Sequence, residues 1–257
     1  MALKLSVLFF TPLLAGLLIY FVTTTKTYNF KLLLVFAGAY LFGITVIHIL
    51  PELYRQYAEV ELIGLFVLAG FFLQQFLEYF TSGVEHGHLP GSHHHHHHTD
   101  EHHHHIHPEP ISALVLLAAL SVHAFLEGGM LAKPMAMGPK YDLNAILLGI
   151  ALHRAPAAFA LMTVLTIQLQ SKARAIPYLV AFSVAAPIGL LISTHFVQTE
   201  VLSEAGLVYL YALVSGNFLH ISTTIVFESS PEHHFNARKL AVAVVGALVA
   251  VAVEYIV

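Results

Sequence analysis

His123 and Glu127 lie four residues apart within the apolar segment ISALVLLAALSVHAFLEGGMLA, residues 111–132. In an α-helix that spacing puts both side chains on one face, one turn apart. Both fall near the middle of a stretch long enough to cross a bilayer. An ionisable group at that depth is costly unless partnered, so its first reading is functional. An imidazole nitrogen beside a carboxylate oxygen makes a good pair of zinc ligands. The structural alternative is a His–Glu hydrogen bond tying two helices together.

A second segment, LLGIALHRAPAAFALMTVL, residues 147–165, carries His153, Arg154 and Pro156. Proline removes a backbone donor and frees the carbonyl one turn back, at Leu152. This bends the helix and leaves a polar spot beside His153. His153 would complete a metal site with His123 and Glu127; the alternative for it alone is a packed histidine hydrogen-bonded to a neighbour. Arg154 inside a span needs an anion or water, and Glu127 is the candidate. His48, just before Pro51 and Glu52, and His220 are either transient ligands on a metal path or interfacial residues that reach for water. His195, near the end of its run, is read as interfacial.

These groups must be positioned by membrane helices. The chain has 257 residues, 57% hydrophobic and 10% charged. Soluble domains carry about 25% charge, so this composition cannot cover a water-facing surface. A span takes about 20 apolar residues, and eight apolar runs fall at roughly 5–23, 30–51, 60–81, 111–132, 143–166, 175–196, 201–224 and 239–257. The expected fold is an all-α membrane protein of eight transmembrane helices: spans one to three in 1–81, a loop at 82–110, and spans four to eight in 111–257. The first run is too long for a signal-peptide core and no cleavage site follows it, so it is read as a retained span. With 11 Lys and Arg there is no nucleic-acid footprint, and with no Cys there is no disulfide or thiolate chemistry. No GxxxxGK[ST], GxSxG or HExxH occurs, and the only Asp residues, Asp100 and Asp142, lie in loops.

The loop reads SGVEHGHLPGSHHHHHHTDEHHHHIHPEP. It has little apolar surface to bury, so disorder without metal is expected. His93, His94, His95, His96, His97, His98, His102, His103, His104 and His105 are accessory metal ligands, neutral for the most part at pH 7. If the N-terminus lies outside, the cytoplasmic loops hold Lys26, Lys31, Lys172, Arg174, Arg238 and Lys239, against Lys4, Arg55, Lys133 and Lys140 opposite. That count favours both termini outside and a cytoplasmic His tract. An internal echo links AGAYLFGITVIHILPEL in span two with YALVSGNFLHISTTIVFESSPEHH in span seven. Each has a Gly, a His four or five residues on, and a Pro-Glu pair, and the two spans run in opposite directions. Inverted repeats mark transporters; chance likeness between apolar segments is the alternative.

Eight spans, a His-rich loop between spans three and four, HAFLEGG and HRAPAA together resemble the ZIP family of zinc–iron transporters. Its span four carries His-Asn-x-x-Asp/Glu-Gly, and its span five carries a His-Glu-x-Pro-His/x-Glu pattern, lining a two-metal site. His123, Glu127, Gly128, His153 and Pro156 match. The resemblance implies import of zinc or related divalent ions toward the cytosol by an inverted-repeat bundle, often dimeric. The chain departs at Ala124, Arg154, Ala157 and Ala158. These changes remove the oxygen ligands of a second metal and put a cation there, so the expectation is one metal held by His123, Glu127 and His153. Zn²⁺ is favoured, with Fe²⁺ and Mn²⁺ compatible. A transport-dead sensor or buffer and an intramembrane zinc hydrolase are the competing functions. Because pathway geometry cannot depend on a disordered loop, deleting 86–107 should leave metal uptake measurable at normal surface expression. The loop's Zn²⁺ should dissociate below about pH 6 as its imidazoles protonate.

Overall fold

The computed structural model describes residues 1–21, 27–57, 59–81, 113–133, 143–228 and 237–256. The His tract lies outside these residues. The described secondary structure is helical: α1 (Ala2–Leu17, ending in a 3₁₀ turn, Leu18–Tyr20), α2 (Thr27–Ile44), a π turn (Thr45–Ile49), α3 (Leu50–Gln56), α4 (Val60–Thr81), α5 (Ala113–Met130), α6 (Leu143–Leu169), α7 (Lys172–Gln198), α8 (Glu204–Glu228) and α9 (Ala237–Ile256). Seven helical stretches among the described residues are long and apolar enough to cross a membrane. The last apolar run forms α9.

Span two was expected to stop near Pro51, yet it continues to Gln56. The π turn before Pro51 places that residue in the first turn of α3, where a missing N–H costs least. A π turn also takes up one more residue than an α turn. Gly43 and His48 are five residues apart, whereas Gly216 and His220 in the echoing span are four apart, and the π turn absorbs that extra residue. Between α6 and α7, Gln170 takes a left-handed φ of 51°. Ser171 then caps α7, its hydroxyl accepting from the Arg174 N–H at 3.4 Å. The cap starts α7 three residues before the apolar run. Lys172 in its first turn donates to the Ile19 carbonyl at the end of α1, at 2.8 Å.

Helix pairs α4·α8, α5·α7, α2·α9 and α1·α6 pack most extensively. Exchanging α1, α2, α4 and α5 with α7, α8, α9 and α6 maps these pairs onto one another, and α1·α7 and α2·α8 onto themselves. The echo between spans two and seven therefore recurs as a pattern of packing partners. Two groups of helices result, α1 with α5, α6 and α7, and α2/α3 with α4, α8 and α9, joined mainly through α2·α6, α4·α5 and α5·α8.

Close approach depends on glycine, as expected where lipid gives helices no hydrophobic drive to associate. A Cβ on Gly128 would stand 1.9 Å from the Ala186 carbonyl oxygen, and one on Gly189 would stand 2.0 Å from that of Phe125, so α5 and α7 touch backbone to backbone. Gly70 and Gly216 do the same for α4 and α8. Gly189→Ala should thus force the α5–α7 pair apart and lower stability by about 1–3 kcal/mol, seen as a lower thermal midpoint in detergent. Gly64→Ala, whose added methyl meets nothing nearer than Tyr54 Oη at 3.8 Å, should leave the midpoint near that of the parent.

Candidate metal centre

Helix α5 presents His123 and Glu127 inward, one turn apart, and α6 brings His153 against them. Glu127 Oε1 lies 2.9 Å from His123 Nε2 and 2.7 Å from His153 Nε2. The three ligand atoms lie within 4.8 Å of one another, and all three residues are buried. One atom from each residue thus converges on a common point, an arrangement that suits a cation. Ligands held at ~2.0–2.1 Å in a tetrahedron stand ~3.3–3.4 Å apart. The ring nitrogens must therefore draw back from Oε1 by roughly half an ångström to admit zinc.

The ring of His153 is oriented from behind. Its Nδ1–H donates to the Gly149 carbonyl at 3.0 Å, which leaves Nε2 with a lone pair facing the site. Phe218 of α8 packs edge-on against the same ring, centroids 6.1 Å apart. The His123 and His153 rings sit 5.9 Å apart. Beside them is a cavity of about 10 Å³, lined by His123, His153, Arg154, Phe182 and Ile221 among others. That is room for one water-sized occupant.

Arg154 points inward, only 2% exposed. Its Nε lies 3.9 Å from Glu127 Oε2. Nη1 donates to the Leu8 carbonyl at 3.4 Å and Nη2 to the Phe182 carbonyl at 3.2 Å. The guanidinium also lies 4.9 Å over the Phe182 ring. The Leu8 carbonyl is available because Pro12, four residues on, has no N–H to give it. Two helices and an aromatic face thus hold this charge beside Glu127. Ala124, Ala157 and Ala158 are buried and offer no ligand.

The other sequence candidates lie elsewhere. His48 is buried in the π turn and does not belong to the three-ligand group. His220 turns toward α4, its Nδ1 at 3.4 Å from Glu78 Oε2. His195 is exposed near the end of α7. His93–His98 and His102–His105 lie outside the described residues. Sequence reading passed over Glu78, although Gln74 and Glu78 repeat the i, i+4 polar spacing that singled out His123 and Glu127. It also passed over Leu8, Gly149 and Phe182, whose contributions are carbonyls and a ring face that no residue type announces.

The chain is thus a polytopic helical membrane protein with a buried carboxylate between two imidazoles, donors of a kind that divalent metals accept. The ZIP Zinc transporter family model matches residues 1–254, and the chain belongs to that family. It is accordingly a multi-pass membrane transporter of divalent metal and not an enzyme. No curated protein matches the chain.

Removing the guanidinium would leave Glu127 buried without its fixed counter-charge. Arg154→Met should cost about 3–5 kcal/mol, read as a fall in thermal midpoint of the metal-free protein. Arg154→Lys keeps the charge but not the fork that reaches two carbonyls, so it should fall between the two. Equal midpoints for all three proteins would contradict this role.

Proposed function

We propose that the chain carries zinc toward the cytosol, one ion per protomer, through a site made by His123, Glu127 and His153. The observation that supports this most is the convergence of two Nε2 atoms on one carboxylate oxygen, within 4.8 Å and buried between spans. Three protein ligands plus water satisfy tetrahedral zinc. The same donors accept Fe²⁺ and Mn²⁺.

Arg154 serves as a tethered cation where the family pattern puts ligands for a second metal. It is effectively always charged, and at 3.9 Å from Glu127 Oε2 it repels a further divalent ion and competes with an arriving one for the carboxylate. That competition weakens binding and speeds release, as transport needs. The balance of Lys and Arg between short loops supports both termini outside and a cytoplasmic His tract. On that side the tract receives ions as they leave.

A metal-sensing or buffering protein is the second reading. Ala124, Arg154 and Ala158 favour it, because they remove donors around the ion. Zn²⁺ flux into proteoliposomes separates the two. His123→Ala and Glu127→Ala should each abolish uptake with expression intact, and uptake unchanged in both would sink the site. With the tract removed, one Zn²⁺ per protomer should bind the membrane region. Two ions held with Arg154 in place would overturn the tethered-cation role.

A further inference from the structure

A second polar group lies where α4 meets α8, apart from the metal centre. The helices run parallel there, with Gly70 against the Leu213 backbone and Gly216 against the Val67 carbonyl. Phe71 packs edge-on against the His220 ring at 4.8 Å, and Glu78 Oε2 stands 3.4 Å from His220 Nδ1. Gln74, one turn from both Gly70 and Glu78, shares that face of α4 and is fully buried. On α8, Asn217 lies one turn from Leu213 and from His220, so it shares the opposing face. It too is fully buried, and neither its amide nitrogen nor its amide oxygen has a hydrogen-bond partner. A buried amide with both ends unsatisfied calls for a ligand or a water.

The distance between Glu78 and His220 is informative. It is longer than a well-formed charge-assisted hydrogen bond, ~2.7–2.9 Å. It equals the ~3.3–3.4 Å edge between two ligands of a tetrahedral zinc. By this measure the pair needs less adjustment to take an ion than the metal centre does.

We propose that Glu78, His220, Asn217 and Gln74 form a second divalent-cation site, offering one imidazole nitrogen, a carboxylate and two amide oxygens. This donor set suits Zn²⁺, Mn²⁺ or Fe²⁺. The site is separate from the first: Phe218 and Ile221 face the metal centre from α8, while His220 between them faces α4. Its position gives it a use. Glu78 lies three residues before α4 ends at Thr81, its side chain is 19% exposed, and the chain runs from there directly into the His-rich loop. A cation leaving or reaching the tract would meet this site at the membrane face.

The test uses the full-length chain with the histidines of 86–107 changed to Ser and with His123→Ala and Glu127→Ala, so the outcome does not depend on the transport site. Equilibrium dialysis should find one Zn²⁺ per protomer, with affinity reduced at least tenfold by Glu78→Gln, His220→Gln or Asn217→Leu. No bound Zn²⁺ on a monodisperse, helical protein would overturn the proposal, as would binding indifferent to those changes. A second measurement covers a background that does not fold. The chain has no native Cys, so Glu78→Cys alone in the otherwise unaltered protein gives a unique thiol. Zn²⁺ should slow its maleimide labelling at least tenfold, and His220→Gln should remove the protection. Labelling that ignores Zn²⁺ would mean that Glu78 and His220 only tie α4 to α8.

Discussion

The structure depends on keeping one carboxylate, that of Glu127, ionised and out of water at bilayer depth. A lone carboxylate there would be prohibitively costly. Two imidazoles approach one of its oxygens and a guanidinium lies near the other. Each of those partners has its own requirement. His153 needs the Gly149 carbonyl to set its ring, and Arg154 needs carbonyls on α1 and α7 to satisfy its remaining donors. Holding Glu127, its guanidinium counter-charge and the two imidazoles together therefore recruits four helices. Pro12 in α1 is as much a part of the arrangement as the residues that touch the carboxylate.

Such a charge cluster demands tight helix contact, and glycine provides it. Gly128 follows Glu127 directly and lies on the Ala186 carbonyl, while Gly189 lies on that of Phe125. This reciprocal contact brings α7, with its Phe182 ring and carbonyl, close enough to hold Arg154. The matching contacts of Gly70 and Gly216 set the α4–α8 register that brings Glu78 to His220. Both polar clusters thus sit beside backbone-to-backbone glycine contacts, where few other side chains could be accommodated.

Under the proposed function, a fixed guanidinium beside the carboxylate bears on selectivity and turnover: an incoming ion would compete with it for Glu127, and binding strong enough for capture yet weak enough for release would follow. The fit of the imidazoles and carboxylate to zinc is shared with neighbouring metals in the first transition row. Discrimination must then come from how far the rings can draw back from Oε1, which is a property of the packing behind them.

Much of the architecture is legible in the sequence because membrane spans are local features. Apolar runs long enough to cross a bilayer predict helices to within a few residues, since the backbone must satisfy its own hydrogen bonds in lipid. The pairing of His123 with Glu127 follows from helical geometry alone. The continuation of span two through Pro51 did not follow, because a π turn is a choice between two hydrogen-bond registers that sequence spacing expresses only faintly. The sequence suggested His153 beside Glu127, and tertiary structure alone decided other partners separated by many residues: the Leu8 carbonyl on Arg154 and Glu78 on His220. Those contacts depend on helix rotation and depth, and these are set by where glycines let backbones touch. A sequence determines which faces a helix has, and only packing determines what each face meets.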